Sequence, residues 1–246
     1  MEIYSALLAT SLLWFFSTGL FGARILKLLP SSIHPRLLLT LWFGGLYSLV
    51  VSLLSSLITG VIVMLNSYGQ LHTTSVGLGN LLLVVLVSLL PWLAVALAGG
   101  TLAHTVTKWG TAITNYRSVS NYIGGLGVTL KVFRGIPVAR VELEVPLALV
   151  SDEHGLSRII MSSTALNMLS SDELNAVLWH EVGHVVGGHN SLKRVAAVAA
   201  SLLGWLPLAR LMVSHTHELM EQEADLVALR HIHAEVLASA RSKFAF

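Results

Sequence analysis

The sequence contains no cysteine. That removes disulfides and thiolate metal sites together, so any bound metal must be held by His, Asp or Glu. The absence fits a reducing compartment. Charge is scarce too. Asp, Glu, Lys and Arg make up 11% of the 246 residues, against about 25% in an ordinary soluble domain. The net charge is only +2. A pI near 9.0 therefore reflects few charges rather than a basic patch, and direct nucleic-acid binding is not expected. What is abundant is apolar: 54% of residues are hydrophobic and the mean hydropathy is +0.74. The lipid bilayer is the first solvent to consider. The length suits one or two domains, with no internal repeat or low-complexity tract.

Three stretches are long enough to cross a hydrocarbon core, which takes about 20 apolar residues. They run from Ile3 to Leu29, Leu37 to Leu65 and Leu78 to Ala103, the last with Pro91 as an expected kink. The first could instead be a cleaved signal peptide. Its Met1-Glu2-Ile3 start is not basic, however, and no clear Ala-x-Ala site precedes the second stretch. Arg24, Lys27 and Arg36 lie between the first two stretches. The loop from Asn66 to Gly77 has no Lys or Arg, whereas Lys108, Arg117, Lys131, Arg134 and Arg140 follow the third. Positive residues stay cytoplasmic. The expected arrangement is a three-helix transmembrane domain over residues 1–105 with its N-terminus outside, then a cytoplasmic domain over 106–246.

The polar half reads as α+β. His104 to Leu126 suggests juxtamembrane helix and loop. Val138 to Val145, Leu147 to Val150 and Arg158 to Ser162 read as strands, with a turn over Asp152 to Ser157. Ser170 with Glu173 three residues later is a capping-box signature. Leu174, Val177, Leu178, Val182 and Val185 then recur at helical spacing, and Gly187-Gly188 ends the helix.

That helix carries His180-Glu181-Val182-Gly183-His184. Imidazoles at i and i+4 share one face, so both can reach a single zinc ion, while the intervening Glu can reach a water beside it. Gly183 costs a helix about 1 kcal/mol relative to Ala. Close approach of another backbone would explain it. Catalytic zinc needs a third protein ligand and an open fourth position. Downstream stand His189, His215, His217, Glu218, Glu221 and Glu223. His189 falls one residue short of the spacing at which a longer zinc motif places its third His. Glu221 is the preferred ligand. Asp225, one turn on, would accept a hydrogen bond from the far nitrogen of a ligating His. A solvated acidic helix face is the competing meaning of that cluster.

The metal site constrains a fourth apolar run, Val195 to Val213. A single crossing would place Glu221 on the far side of the bilayer from His180 and His184. The run must therefore fold back near Gly204 to Pro207, as a re-entrant or membrane-adjacent hairpin or as buried core. Arg210, costing about 2.5–3.5 kcal/mol at mid-bilayer, also disfavours a full span.

Taken together, the three N-terminal stretches, the run Arg158 to Ser163, Leu169 to His184 and Glu221 to Asp225 resemble the M56 metallopeptidases. These are the BlaR1/MecR1-like membrane gluzincins of bacterial antibiotic-sensing systems. The segment from Leu169 also looks like the M48 peptidases of the HtpX and CAAX-prenyl protease types, which usually hold two full spans between the second His and the Glu. The resemblance implies three transmembrane helices followed by an α+β gluzincin domain in a bacterial plasma membrane. It implies Zn²⁺ on His180, His184 and Glu221, with Glu181 as catalytic Glu. The implied partner is a protein or peptide substrate, the chain itself or a cytoplasmic repressor. Only the protease core carries over, since no penicillin-binding sensor domain is present in the 246 residues. An extended substrate would add to a sheet edge near Leu147 to Ser151. Arg158, His215 and His231 are candidates to stabilise the oxyanion. The competing functions are a membrane-protein quality-control protease, a membrane protein with a structural zinc site, and a transporter fragment. Intramembrane charged pairs, which a transporter would need, are lacking.

Overall fold

The computed structural model describes residues 2–30, 32–71, 89, 92–93, 95–97, 99–100, 103, 128–153 and 156–244. Its elements are α1 (Glu2–Lys27), α2 (Pro35–Leu71), β1 (Val128–Phe133), β2 (Ile136–Val141), β3 (Ala148–Glu153), β4 (Leu156–Ser162), α3 (Ser163–Met168), α4 (Ser171–Gly187), α5 (His189–Leu203), α6 (Pro207–Ala228) and α7 (Ala234–Ser242). The chain divides into two compact units. One comprises Met1–Ile33, Thr40–Trp109 and Val198–Met212; the other comprises His34–Leu39, Gly110–Ala197 and Val213–Phe246.

In the first unit, α1 and α2 are long and apolar enough to cross a membrane. Trp14, Phe21, Tyr47, Ile58 and Leu65 are exposed on them, as lipid-facing side chains would be. The two helices meet through Leu8 and Leu12 of α1 and Val63 of α2, all buried. Polar pairs add to this: Ser11 and Ser55 hydroxyls lie 3.0 Å apart, and the Trp14 indole N–H donates to Ser48 at 2.6 Å. Such pairs join helices where apolar burial alone gives little drive. The expected third span, Leu78 to Ala103, lies largely outside the described residues, and those of it that are described are helical. Helix α2 continues through Leu71, into the loop expected from Asn66; residues 72–77 of that loop and the segment 104–126 fall outside the described residues.

The fourth apolar run is a helical hairpin. Helix α5 ends at Leu203, α6 begins at Pro207, and the chain reverses between them. The hairpin tip belongs to the first unit. Leu206 and Leu208 are fully buried there. A Cβ on Gly19 would lie 2.8 Å from the Leu206 side chain, and Leu208 packs against Gly22 and Gly45. Small residues on α1 and α2 thus admit the hairpin leucines.

The second unit is built on a four-stranded sheet of order β1-β2-β4-β3. β1 and β2 form an antiparallel hairpin whose turn residues Arg134 and Gly135 both have positive φ. β2 and β4 run parallel; β4 and β3 are antiparallel, so β3 is an edge. The sheet departs from the sequence expectations at three points. Val128–Phe133 is an additional strand. The strand expected to reach Val145 stops at Val141, because the Leu143 carbonyl is taken by the Thr164 hydroxyl at 2.7 Å, and Pro146 has no N–H to donate. The turn expected over Asp152 to Ser157 is shorter. Strand pairing runs to Glu153 and resumes at Leu156, and residues 154–155 lie outside the described set. Val138, Ile159 and Met161 of the sheet pack on Ala176, Val177, Leu178 and Val182 of α4 and on Leu237 and Ala240 of α7.

Helix α4 starts as its sequence requires. The Ser170 hydroxyl accepts from the Glu173 N–H at 3.3 Å, and Glu173 accepts from the Ser170 N–H at 2.8 Å. It ends at Gly188 in the left-handed region. Glu173 also accepts from Lys243 at 2.6 Å and Ser239 at 2.7 Å. Lys243 foremost, then the Ser170 backbone, holds its carboxyl down at about 2. A carboxyl lower in the folded than in the unfolded chain stabilises the fold above its unfolded value and ceases to do so as pH falls through its folded value. Melting temperature is therefore expected to fall more steeply for the wild type than for Glu173→Gln between about pH 5 and pH 2. Parallel curves would remove this contact from the stabilising set.

Candidate metal centre

α4 and α6 cross where α4 has no side chain. A Cβ on Gly183 would lie 2.7 Å from the Ala224 Cα and 3.0 Å from its carbonyl oxygen. This is the close backbone approach that the mid-helix glycine suggested. Because Ala224 sits between Glu221 and Asp225 in sequence, the crossing lays both carboxylates beside the α4 histidines.

Three donor residues converge. The Nε2 atoms of His180 and His184 are 3.1 Å apart. Glu221 places Oε2 3.3 Å from the first and Oε1 3.5 Å from the second. Four ligands at about 2.0–2.1 Å around a tetrahedral ion would be about 3.3 Å apart. The observed separations match that edge, and the donor set of two imidazoles and a carboxylate is one a zinc-type ion accepts. Among the described residues, His180, His184 and Glu221 are the group that could hold a metal.

Protonation points the same way. Asp225 lies 3.0 Å from His180 Nδ1 and also pairs with Arg241. A carboxylate only accepts, so His180 Nδ1 carries a proton, and a cation taking the place of the Nε2 proton would meet that nitrogen's lone pair. Burial would lower the His180 imidazole, but Asp225 and then Glu221 outweigh it and raise it to about 9. Burial would raise Glu221, but hydrogen bonds from His180 and then His184 hold it well below the usual carboxylate range. The centre thus favours positive charge. Glu181 is buried beside it, and burial pushes its carboxyl up against the opposing pull of His184 and His180.

The other candidates fall elsewhere. His189 is fully buried and faces His184 Nδ1 at 2.7 Å rather than the three-donor centre. Its imidazole is lowered to about 4, by burial first and by His184 second. Glu223 lies 3.2 Å from His189 Nε2. His231 stacks on Trp179 at 3.6 Å. His215 pairs with Glu218 at 3.8 Å, and His217 approaches Glu221 at 3.7 Å. Lys193, which no motif marked, has its ammonium 3.6 Å from Glu221. Arg158 sits opposite Ser151 in the β3–β4 ladder.

Residues 153–244 match the family model of Peptidase family M48. That segment contains all of the converging donors as well as Glu181 and Asp225, and the match relates it to the metallopeptidases. It is the family to which the sequence alone gave second place. No curated protein matches the chain significantly. Asp225 was legible from its one-turn spacing. Lys193 and Arg241 were not, because nothing in their local sequence distinguishes them from solvated charges, and Glu223, one of the candidate ligands, lies on His189 instead.

Proposed function

We propose that the protein is a zinc-dependent integral-membrane endopeptidase. The observation that carries this reading is the convergence of His180, His184 and Glu221 at separations of 3.1–3.5 Å. These three residues would hold the ion. Once bound, it would supply Lewis acidity, polarising the scissile carbonyl and making water easier to deprotonate. Glu181 takes the proton from the attacking water and passes it to the leaving amine, a task suited by a carboxyl that burial pushes upward. Asp225 keeps His180 in the tautomer that presents Nε2. Lys193 and His217, flanking Glu221, are better placed than Arg158 or His231 to meet negative charge developing on the substrate. The edge strand β3 would receive an extended substrate segment.

With three converging donors the fourth position is left for substrate and water, in contrast to a closed structural site. α1 and α2 would span the membrane, with the hairpin tip dipping in beside them and the catalytic unit on the cytoplasmic side. The match to Peptidase family M48 favours a protease acting on membrane proteins at large over one with a single regulatory target such as a repressor. The short α5–α6 hairpin is what still speaks for an M56-like layout. Elemental analysis of the detergent-purified chain tests the core of the reading. One zinc per chain is expected for the wild type and less than a tenth of that for His184→Ala. Equal metal in both preparations would remove the site.

A further inference from the structure

The buried pair His189–Glu223 has no role in the chemistry described above, although burying an imidazole and a carboxylate is costly unless both are satisfied. His189 is fully buried and Glu223 nearly so. His189 Nε2 lies 3.2 Å from Glu223 Oε2, its Nδ1 lies 2.7 Å from His184 Nδ1, and Glu223 Oε1 lies 3.5 Å from Arg36 Nη1. For a neutral His189 beside an ionised Glu223, these contacts set the protons. The carboxylate can only accept, so His189 Nε2 carries the hydrogen. A neutral imidazole has one, which leaves His189 Nδ1 a bare acceptor. His184 Nδ1–H must then donate to it, and His184 Nε2 is left with a lone pair facing His180 and Glu221.

The backbone is shaped to keep this imidazole in place. A Cβ on Gly187 would lie 2.2 Å from His189 Nε2, so any side chain there would collide with a ring that hydrogen bonds hold at both nitrogens. Asn190, next in the chain, donates from its side-chain amide to the Val150 carbonyl at 3.0 Å and ties the start of α5 to β3. The two imidazoles on α4 thus have separate supports: His180 through Asp225 to Arg241, and His184 through His189 and Glu223 to Arg36.

Resting on the metal-site reading above, we infer that His189 and Glu223 are positioning residues. They hold the His184 ring with its Nε2 lone pair aimed at the ion. The acceptor atom is the essential part of His189, and an Asn side chain can place an oxygen close to where Nδ1 now sits.

The test is a zinc titration of the metal-stripped full chain in detergent against a competing chelator. Partners of ligating imidazoles typically contribute 10–100-fold to metal affinity. His189→Leu is expected to lose about that much, and Gly187→Ala to lose a similar amount by displacing the ring. His189→Asn is expected to stay within about threefold of the wild type. The inference is overturned if His189→Leu binds zinc as tightly as the wild type, or if the Asn and Leu variants weaken alike. Should His189→Leu show no cooperative unfolding transition, His189→Asn decides, and a loss of tenfold or more overturns the inference. A wild-type chain that takes up no zinc sinks the underlying metal-site reading, and this inference with it.

Discussion

Glu181→Gln is expected to lower peptide hydrolysis by about 10²–10⁴-fold, the range a positioned general base contributes, while leaving zinc bound. The amide is nearly isosteric, so packing on α4 survives. Glu181 also contributes no donor to the convergence of His180, His184 and Glu221. What disappears is a carboxylate able to take a proton beside the ion. The measurement pairs cleavage of fluorescent casein by the reconstituted chain with zinc content of the same preparation. A variant that retains zinc and cleaves at the wild-type rate would take the general-base role away from Glu181. A variant that loses zinc would show instead that this carboxylate is a ligand.

Gly183→Ala should damage the site more than the fold. Alanine gains about 1 kcal/mol of helix propensity over glycine, and overpacking costs about 1–3 kcal/mol. These nearly cancel in stability. They do not cancel in geometry. The new methyl would sit 2.7 Å from the Ala224 Cα, whereas carbon atoms pack at about 3.5–4.0 Å, so α4 and α6 must part by about 1 Å. Glu221 and Asp225 move with α6. Misplacement on that scale costs about 10²-fold in rate. A melting temperature within a few degrees of the wild type is therefore expected together with a loss of about 10²-fold in casein cleavage. Unchanged zinc affinity and activity would mean that the helix crossing does not set the donor geometry.

The sequence was most readable where the physics is local. The start of α4 needed only Ser170 and Glu173, since a capping box is made within one turn. The pairing of His180 with His184, and of Glu221 with Asp225, needed only the helical period. The fold-back of the apolar run came from a different constraint: side chains bound for one centre cannot lie on opposite faces of a bilayer. β1 was harder. Val128, Leu130 and Val132 are exposed on an edge strand, and its pairing with β2, rather than an inward-facing apolar pattern, makes it a strand.

Sequence alone determined which residue types could meet a metal, on which helices, and at what spacing along each, because helical geometry converts separation in the chain directly into a shared face. Beyond Asp225, only the tertiary structure decided what stands behind those residues. His184 and His189 are separated from Glu223 by 39 and 34 positions, and Asp225 from Arg241 by 16. Such partners are chosen by where α4, α5, α6 and α7 pack, and the chain between them carries no trace of the choice.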